Sequence, residues 1–521
     1  MYIEPNTNIY LLTGVPLDNR YENTIYFDNR NEQTAYFTNK AKYTFTHQSY
    51  TRVKRGYLKI AINAESIFDC NYMMFQNASF GTGQWFYAFI KNVEYINNDT
   101  AQIEFELDVM QTWHFNYTLR NSFVDREHSV ADTYFYQAVA ENLDLGDSYI
   151  CEQSQQLDLS NMSVGLLVSQ YSDQSLKTVG AVYNGVFCRL GFKFGEGTQK
   201  YDLNNSEAVA LLNGEIDKYV EKGKTDAILQ MFQYPSRILT ESGGAVVPYT
   251  SNFNCTLSKV QTVDNYTPRN LKLLNYPYKF LRFSNNMGTQ NDLKYENFKT
   301  QDINFYLQGV VISRPSVALS PKEYAGQDIN YDEGIAINNF PVCGFTNDTY
   351  KEWINNNQNA VATSTITSAL TGVGAGLLTA NPIVGVGTAV ASSAVGVANL
   401  VARQQDIRNQ PPGAKGQLQA DCLLTGTKRF GYSFYRMSIK SQIARVIDDY
   451  FDKYGYACHR VKTPNRKVRE HWTYTKTIGC NIVGRLPADD ISKICDIYDK
   501  GITFWVNGAV VGDYSQSNKP L

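Results

Sequence analysis

The clearest alternation of apolar and polar residues in the chain lies just after residue 100. The apolar residues Ile103, Phe105, Leu107 and Val109 alternate with the acidic residues Glu104, Glu106 and Asp108. Successive side chains of a strand point to opposite faces, so a repeat of two predicts a strand with one apolar and one solvated face. The solvated face of this predicted strand is acidic.

Short apolar runs separated by turn residues predict strands through most of the chain before residue 346. In the first 120 residues these include Ile9–Leu12, and the pairs Tyr26-Phe27 and Tyr36-Phe37 flank turn signals at Asp28-Asn29 and Asn31. Between 121 and 345 the predicted strands include Val182–Phe194, Phe305–Ile312 and Gly334–Ile337, and the predicted short helices are Ala208–Tyr219 and Lys224–Phe232. This pattern indicates mainly β structure with few helices.

The last hundred residues show helical spacing as well as strands. One apolar stripe consists of Ile439, Ile443, Val446, Ile447, Tyr450, Phe451 and Tyr454, with Ser438 as a possible N-cap and Gly455 at its end. A second helix is predicted from Pro487 to Gly501, with Asp489-Asp490 in its first turn and Ile491, Ile494 and Tyr498 buried. Strands are predicted at Tyr474–Val483 and Thr503–Val506. The C-terminal part is therefore expected to be an α+β module.

The most unusual segment shows neither the two-residue repeat of a strand nor the spacing of an amphipathic helix, because it is almost entirely apolar. From Trp353 to Ala402 no Asp, Glu, Lys, Arg or His occurs, although 19% of the chain is charged. Two arms of about 20 residues flank Asn381-Pro382, and a helix of that length matches the ~30 Å hydrocarbon core of a bilayer. Asn-Pro favours a turn. The segment therefore predicts a hairpin of two apolar arms.

The composition of this hairpin differs from that of an ordinary transmembrane hairpin. Its arms consist mainly of Ala, Val, Gly, Thr and Ser, and no aromatic residue lies between Trp353 and Phe430. Without an interfacial aromatic belt, the segment fits one that can lie either in protein or in lipid. The alternative is a buried helical hairpin, or a low-complexity loop that touches no membrane. The candidate membrane-active positions are Val361, Ile366, Leu370, Val373, Leu377, Leu378, Pro382, Ile383, Val384, Val386, Val390, Val395, Val397, Leu400 and Val401.

Composition narrows the class of protein. The chain has 521 residues, which predicts several domains, and a formal charge of −2, which argues against a protein that clamps nucleic acid over a broad basic face. Nine cysteines, an odd number without a CxxC pair, indicate reduced thiols made in a cytosol. No secretory signal is visible at the N-terminus. We divide the chain into 1–120 (β-rich), 121–345 (β-rich), 346–412 (apolar segment with its flanks) and 413–521 (α+β).

No catalytic or metal-binding motif is apparent, so neither a catalytic residue, a metal ligand nor a cofactor is predicted. The five histidines show no HExxH motif, and Cys458-His459 is interpreted as structural. The carboxylates Asp448-Asp449 are interpreted as the solvated edge of a helix. Lys462, Arg466, Lys467 and Arg469 form a short basic cluster that is a weak nucleic-acid signal and more commonly a solvated loop.

Three stretches together resemble the distal tube (tail knob) proteins of small short-tailed phages of the Picovirinae group. They are IYLLTGVPLDNRYENTIYF (Ile9–Phe27), FELDVMQTWHFNYTLRNSFVDREH (Phe105–His128), and ARVIDDYFDKYGYACHRVKTPNRKVREHWTYTKTIGCNIVG (Ala444–Gly484) with GITFW (Gly501–Trp505). They bracket the chain, and the apolar segment occupies the place that this family gives to its membrane-active loop. The resemblance therefore covers most of the sequence.

The resemblance implies a ring-shaped homohexamer at the tail tip of a virion, whose wall is built from β-sheets of the N- and C-terminal parts. It also implies that the protein is made in the host cytoplasm and forms a conduit for double-stranded DNA. In such proteins six apolar loops plug the lumen and then leave it to penetrate the host membrane. The implied partners are further copies of the chain, membrane lipid, passing DNA and adjacent tail or collar proteins.

Two groups of residues acquire candidate roles from this interpretation. The acidic face of Glu104, Glu106 and Asp108 either lines the lumen, where it would repel phosphate, or is an outer solvated face. Because the apolar arms contain no titratable group, a pH trigger is expected at the loop base (Glu352, Arg403 and Asp406) or in the tube wall. The competing hypotheses are a receptor-binding tail protein whose apolar segment only packs in an assembly interface, and a cell-wall-degrading enzyme.

Overall fold

The computed structural model describes residues 6–48, 56–77, 83–130, 139–169, 177–183, 186–196, 199–221, 228–239, 249–310, 315–325, 334–338, 340, 342–344 and 430–521. Strands dominate these residues, so the predicted mainly β fold with a few helices is confirmed. The chain forms two compact units. Unit 1 comprises residues 1–145, 266–273 and 441–521, and unit 2 comprises residues 146–265 and 274–440. The predicted division into four consecutive segments stays a prediction.

The elements are numbered along the chain. Unit 1 begins with β1 (Thr7–Thr13), β2 (Asn23–Ile25), α1 (Arg30–Thr38), β3 (Ala41–Gln48), β4 (Tyr57–Ile60), β5 (Cys70–Asn77), β6 (Phe86–Asn97), β7 (Thr100–Leu107), α2 (Val109–Thr112), β8 (Tyr117–Leu119) and β9 (Ser122–Glu127). Unit 2 contains β10 (Ile150–Asp158), β11 (Met162–Ser169), β12 (Lys177–Tyr183), β13 (Val186–Lys193), β14 (Gly195–Glu196), β15 (Gln199–Lys200), α3 (Ser206–Glu221), β16 (Ile228–Pro235), β17 (Tyr249–Cys255), β18 (Lys279–Ser284), β19 (Gln290–Leu293), β20 (Ile303–Val310), β21 (Ser316–Pro321), β22 (Ile335–Ile337), β23 (Val342–Gly344) and β24 (Gly431–Ser438). Unit 1 ends with α4 (Ser441–Tyr454), β25 (Tyr456–Lys462), β26 (Trp472–Ile478), β27 (Ile482–Gly484), α5 (Ala488–Lys500) and β28 (Ile502–Trp505).

Unit 1 combines strands from both ends of the chain. Its six-stranded sheet has the order β3-β1-β5-β6-β7-β4, and its five-stranded sheet has the order β2-β28-β26-β9-β25. In the second sheet β9 pairs antiparallel with β25 and β26, while β2 pairs parallel with β28. A shared aromatic core includes Phe37, whose ring stacks on Tyr72 at a centroid distance of 5.3 Å. The two ends of the sequence therefore form one hydrophobic core.

Unit 2 consists of antiparallel sheets around a second aromatic core. The sheet orders are β12-β13-β11-β16-β23, β17-β20-β21-β22, β10-β24-β18-β19 and β14-β15. Phe283, Phe305 and Phe434 are fully buried and contact one another in this core. The aromatic residues that produce the β-rich pattern before residue 346 thus lie inside the unit.

The predicted C-terminal helix is observed almost as expected. It runs from Ala488 to Lys500, with Pro487 before it and Asp489 in its first turn. Gly501 has a φ of 96°, and a Cβ there would collide with the Tyr474 hydroxyl, so this position requires glycine. Ile494 and Tyr498 are fully buried, as predicted.

Other predicted elements need correction. The helix α1 occupies the region of Tyr36-Phe37, where only strands and turns were predicted, because Asn29 accepts a hydrogen bond from the Glu32 N–H as an N-cap. The predicted helix Lys224–Phe232 is wrong over its described part, which belongs to β16. Ser438 does not cap α4, since it ends β24, and Val446 is 69% exposed although it was predicted to be in the apolar stripe.

Candidate functional site

The acidic strand is observed, but it ends two residues before the predicted end at Val109. β7 runs from Thr100 to Leu107, with Ile103 buried and both Glu104 and Glu106 partly exposed. Glu104 pairs across the sheet with Tyr57 of β4. The strand ends before Asp108, so only two of the three carboxylates share its polar face. Whether that face lines a lumen stays a prediction.

Glu106 is surrounded by cationic and amide groups. The Lys493 ammonium lies 2.6 Å and the Lys91 ammonium 3.2 Å from its carboxylate oxygens, and the Asn19 amide donates over 3.2 Å. Partial burial alone would raise the pKa of Glu106, but the hydrogen bonds from Lys493 and Asn19 lower it to about 2. The carboxylate therefore stays charged, and the two lysines beside it reduce the net negative charge of this face.

Asp108 is a structural carboxylate and not part of a solvated face. Its side chain is buried at 2% exposure, and its Oδ1 accepts the backbone N–H groups of Met110 (3.0 Å) and Gln111 (3.1 Å) at the start of α2. The Tyr72 hydroxyl donates to its Oδ2 over 2.8 Å. Burial raises the pKa of Asp108 to about 6 against the effect of these hydrogen bonds. As a candidate lumen-facing residue Asp108 is therefore misplaced, because it begins a helix.

Two buried histidines hold neighbouring segments of unit 1 together. The His128 ring is fully enclosed between the backbone of Tyr474 and that of Asp452, and burial together with the Arg469 charge lowers its pKa to about 3. The His114 Nε2 lies 3.1 Å from the Phe27 carbonyl oxygen. Burial lowers the pKa of His114 to about 4. Both rings are thus neutral at physiological pH, and no sequence motif marked them.

Asp448 anchors the segment 266–273, which we call the strap, to helix α4. Its carboxylate accepts hydrogen bonds from the Tyr266 hydroxyl (2.6 Å), the Arg269 N–H (2.8 Å), and both the N–H (3.1 Å) and side-chain amide (2.8 Å) of Asn270. The side chain of Asp448 is completely buried. Interpreting it as a solvated edge was therefore wrong, although its neighbour Asp449 is exposed as expected.

The short basic cluster is occupied by contacts within unit 1. Lys462 forms an ion pair with the buried Glu127, and the Lys467 ammonium lies 2.7 Å from the Asp28 carboxylate. The Arg466 guanidinium lies over the rings of Tyr26 and Tyr117 at 5.6 and 5.7 Å, and Arg469 is only 4% exposed. These contacts favour the structural interpretation over a nucleic-acid patch.

An exposed apolar row crosses three strands of the five-stranded sheet. Val461 of β25 and Ile478 of β26 both lie opposite Phe123 of β9 in the pairing register. Their exposures are 68%, 58% and 36% respectively, so the row faces solvent within a single chain. His459 stacks on Phe123, and the Lys476–Asp125 ion pair flanks it. An apolar centre with a polar border is typical of a protein interface.

Several sequence-predicted residues lie outside the described residues, namely the apolar segment with its candidate positions and the loop-base residues Glu352, Arg403 and Asp406. Within the described ranges, no helix combines the length and the apolar composition that crossing a bilayer requires. The same ranges contain no group of three or more His, Cys, Asp or Glu side chains placed to hold a metal ion.

Comparison with known proteins identifies related sequences along the whole chain. Residues 245–519 match the family model of the C-terminal domain of the Bacillus phage phi29 tail knob protein gp9, and residues 5–118 match that of the caudoviral major tail protein N-terminus. The tail knob proteins gp9 of Bacillus phages PZA and B103 are 24% and 25% identical, with 98% of each chain covered. The bacteriophage C1 tail knob protein gp12 has a similar fold, with a TM-score of 0.58 at 14% identity over 99% of this chain and 100% of its own.

Proposed function

The chain belongs to the phi29 gp9 tail knob family, and on this premise we propose that it forms a DNA conduit at the tail tip whose apolar segments penetrate the host membrane. As a member of that family it is a structural component of a phage tail and not an enzyme. The observation that carries the finer proposal is the uncharged stretch from Trp353 to Ala402, which a soluble tail protein must shield until it meets lipid.

Membrane penetration is tested by dye release from liposomes. The full chain should release dye, and a variant in which residues 360–402 are replaced by a Gly/Ser linker of equal length should not. The linker keeps the chain connected, and circular dichroism checks that both proteins are folded. Leakage by neither protein at any pH, while the protein still binds cells, would favour the receptor-binding alternative. Equal leakage by the two proteins would show that another segment disrupts the bilayer.

For the conduit role, we propose that the polar face of β7 lines the lumen through which DNA passes. Neutralising Glu106 leaves Lys91 and Lys493 without their carboxylate partner, so the Glu104→Gln/Glu106→Gln variant should retain double-stranded DNA more strongly than the wild type at low salt. Glu65→Gln, an exposed carboxylate on the opposite side of this sheet, is the control. Equal DNA retention in all three proteins would place the acidic face outside the lumen.

Self-assembly into a ring is supported by the exposed apolar row of Val461, Phe123 and Ile478. Such a row is stabilised when a second copy or an adjacent tail protein covers it. We propose a homohexamer, and negative-stain images of the purified protein test it directly. A six-fold ring with a filled centre is expected, whereas a solitary protomer at micromolar concentration would contradict the proposal.

The release trigger is proposed to lie at the loop base or in the wall. Charge neutralisation of Glu352, Arg403 and Asp406 should shift the pH at which liposome leakage begins, if the base controls release. In unit 1, the proposed wall, burial raises the pKa values of Asp108 and Asp452 to about 6. An unchanged threshold in the base variant, together with a shifted one in Asp108→Asn, would assign the trigger to the wall.

A further inference from the structure

Two cysteines of unit 1 are held beside each other by one aspartate. Cys480 lies in the turn between β26 and β27, and Cys495 lies on α5. Asp499, one helical turn after Cys495, accepts the Cys480 N–H over 3.0 Å, the Gly479 N–H over 3.1 Å and the Thr477 hydroxyl over 2.6 Å. These three hydrogen bonds fix the turn against the helix face that carries Cys495.

Cys480 and Cys495 are neighbours in this arrangement, because Cys495 lies one helical turn before the aspartate that binds the Cys480 N–H. Both side chains pack on the aromatic core of unit 1. Both are partly exposed, so a small solute has access to them. Burial raises the pKa of Cys480 to about 12 and raises that of Cys495 as well, while the neighbouring Cys480 thiol opposes the rise at Cys495.

We propose that Cys480 and Cys495 are a redox-active dithiol, which a small-molecule disulfide of the glutathione type converts into one intramolecular disulfide. The Cys495 thiolate attacks the reagent, forms a mixed disulfide and releases one glutathione thiolate. Cys480 then loses its proton to solvent, attacks the Cys495 sulfur and expels the second glutathione. Two protein thiols are oxidised, and one external disulfide is reduced to two thiols.

The consequence for the molecule is a covalent link between the turn and α5. The link closes the chain from 480 to 495, which includes β27 and most of α5, and constrains the unfolded state of that stretch. A chain made in a reducing cytosol carries the thiols, and a particle outside the cell meets oxidants. The dithiol therefore provides a covalent lock that forms after synthesis, independently of what the apolar segment does.

Peptide mapping of the full-length protein after incubation with oxidised glutathione tests the proposal. Trypsin should release residues 477–485 and 494–500 joined by a disulfide, with the loss of about 2 Da that formation of one disulfide requires. The exposed Cys151 should acquire glutathione instead, which shows that the reagent is active. Because attack requires a thiolate, the linkage rate should rise about tenfold per pH unit between pH 7 and 9.

The variant Cys480→Ser should give no linked peptide and should carry glutathione on Cys495. Linkage should also raise the midpoint of thermal unfolding by several degrees, and dithiothreitol should reverse that shift. The proposal is overturned if the wild-type peptides 477–485 and 494–500 remain thiols, or carry separate glutathione adducts, while Cys151 is modified. This outcome is read on the wild-type chain, so misfolding of the serine variant cannot obscure it.

Discussion

The Nδ1 atom of His128 accepts a hydrogen bond from the backbone N–H of Tyr474 over 2.8 Å. Its Nε2 lies 3.0 Å from the Asp452 carbonyl oxygen, so Nε2 carries the proton and donates it. If Nδ1 also carried a proton, its N–H would face the Tyr474 N–H, and this hydrogen bond would be lost. The hydrogen bonds therefore require the neutral ring, in agreement with the lowered pKa of this histidine.

The first prediction concerns the acid sensitivity of unit 1. Since the folded-state pKa of His128 is about 3 and its ordinary value is 6.5, its stabilising contribution is complete above pH 6.5 and is lost as the pH falls. In His128→Asn the amide oxygen can still accept the Tyr474 N–H, but nothing titrates. The stability advantage of wild type over the variant should shrink by up to about 1.4 kcal/mol per pH unit below pH 6.

Urea unfolding followed by tryptophan fluorescence at pH 7.5, 6.5, 5.5 and 4.5 measures this difference. His114→Asn should change the slope in the same direction, since the pKa of His114 is lowered to about 4. Measurements at pH 7.5 and above serve as the reference, because there the titration of neither ring contributes. If both variants follow the wild-type pH dependence in parallel, the two rings are not held neutral by the fold.

The opposite pH dependence is expected for Asp108. Its folded-state pKa of about 6 lies above its ordinary value of 3.8, so the folded protein binds a proton between pH 4 and 6 that the unfolded chain releases. Asp108→Asn keeps an oxygen for the Met110 and Gln111 N–H groups. The free energy of unfolding of the variant relative to wild type should therefore increase as the pH rises from 4 to 6 and then level off. A decrease over that range in the same urea experiment would refute the assignment.

The strap provides a stability prediction with a matched control. Asp448→Ala removes a buried acceptor of several hydrogen bonds and should destabilise unit 1 by about 3–5 kcal/mol, because the Arg269 and Asn270 N–H groups lose their partner. Asp449→Ala, at the adjacent exposed position, removes only a solvated ion pair with Arg269 and should have little effect. Chemical unfolding at pH 7.5 compares the two. Similar losses for both would show that the strap is not held by Asp448.

The exposed apolar row of Val461, Phe123 and Ile478 leads to a prediction about the association of protein copies. Val461→Asp should raise the protein concentration at half-assembly by about tenfold or more, since a charge in the apolar centre of an interface is desolvated without a partner. Val446→Asp, at an equally exposed position on α4, is the control and should assemble like the wild type. Light scattering coupled to size exclusion gives the mass. Assembly that Val461→Asp leaves unaffected would show that another surface joins the copies.

The parts of the fold that the sequence predicted are those with strong local signals. The alternation from Ile103 to Val109 predicted β7, which ends two residues earlier, and the Pro487 and Gly501 boundaries predicted α5 to within a residue. These signals are local because a repeat of two or a helix cap involves neighbours in sequence. The membership in a tail knob family was also predicted from three stretches of the sequence, and the family model confirms it.

The missed features depend on residues that are distant in sequence. Asp448 has the sequence context of a solvated helix edge, and it is buried only because the strap, about 180 residues earlier, covers it. Asp108 continues an alternating pattern, but the backbone turns into α2 at this residue. The apolar row consists of side chains from three strands, and only the pairing register places them together. Local periodicity contains no information on such contacts.

Because β9 pairs with β25 and β26, its sheet cannot form until late in biosynthesis. Arg126 donates to the Gly455 carbonyl across 329 positions of sequence, so the ribosome needs roughly 15 to 70 seconds at about 5–20 residues per second before the second partner emerges. During that interval β9 lacks both of its partner strands. The apolar segment therefore leaves the ribosomal exit tunnel before the five-stranded sheet can form. Nascent chains of this protein therefore expose the edges of β9 until β25 and β26 have been synthesised.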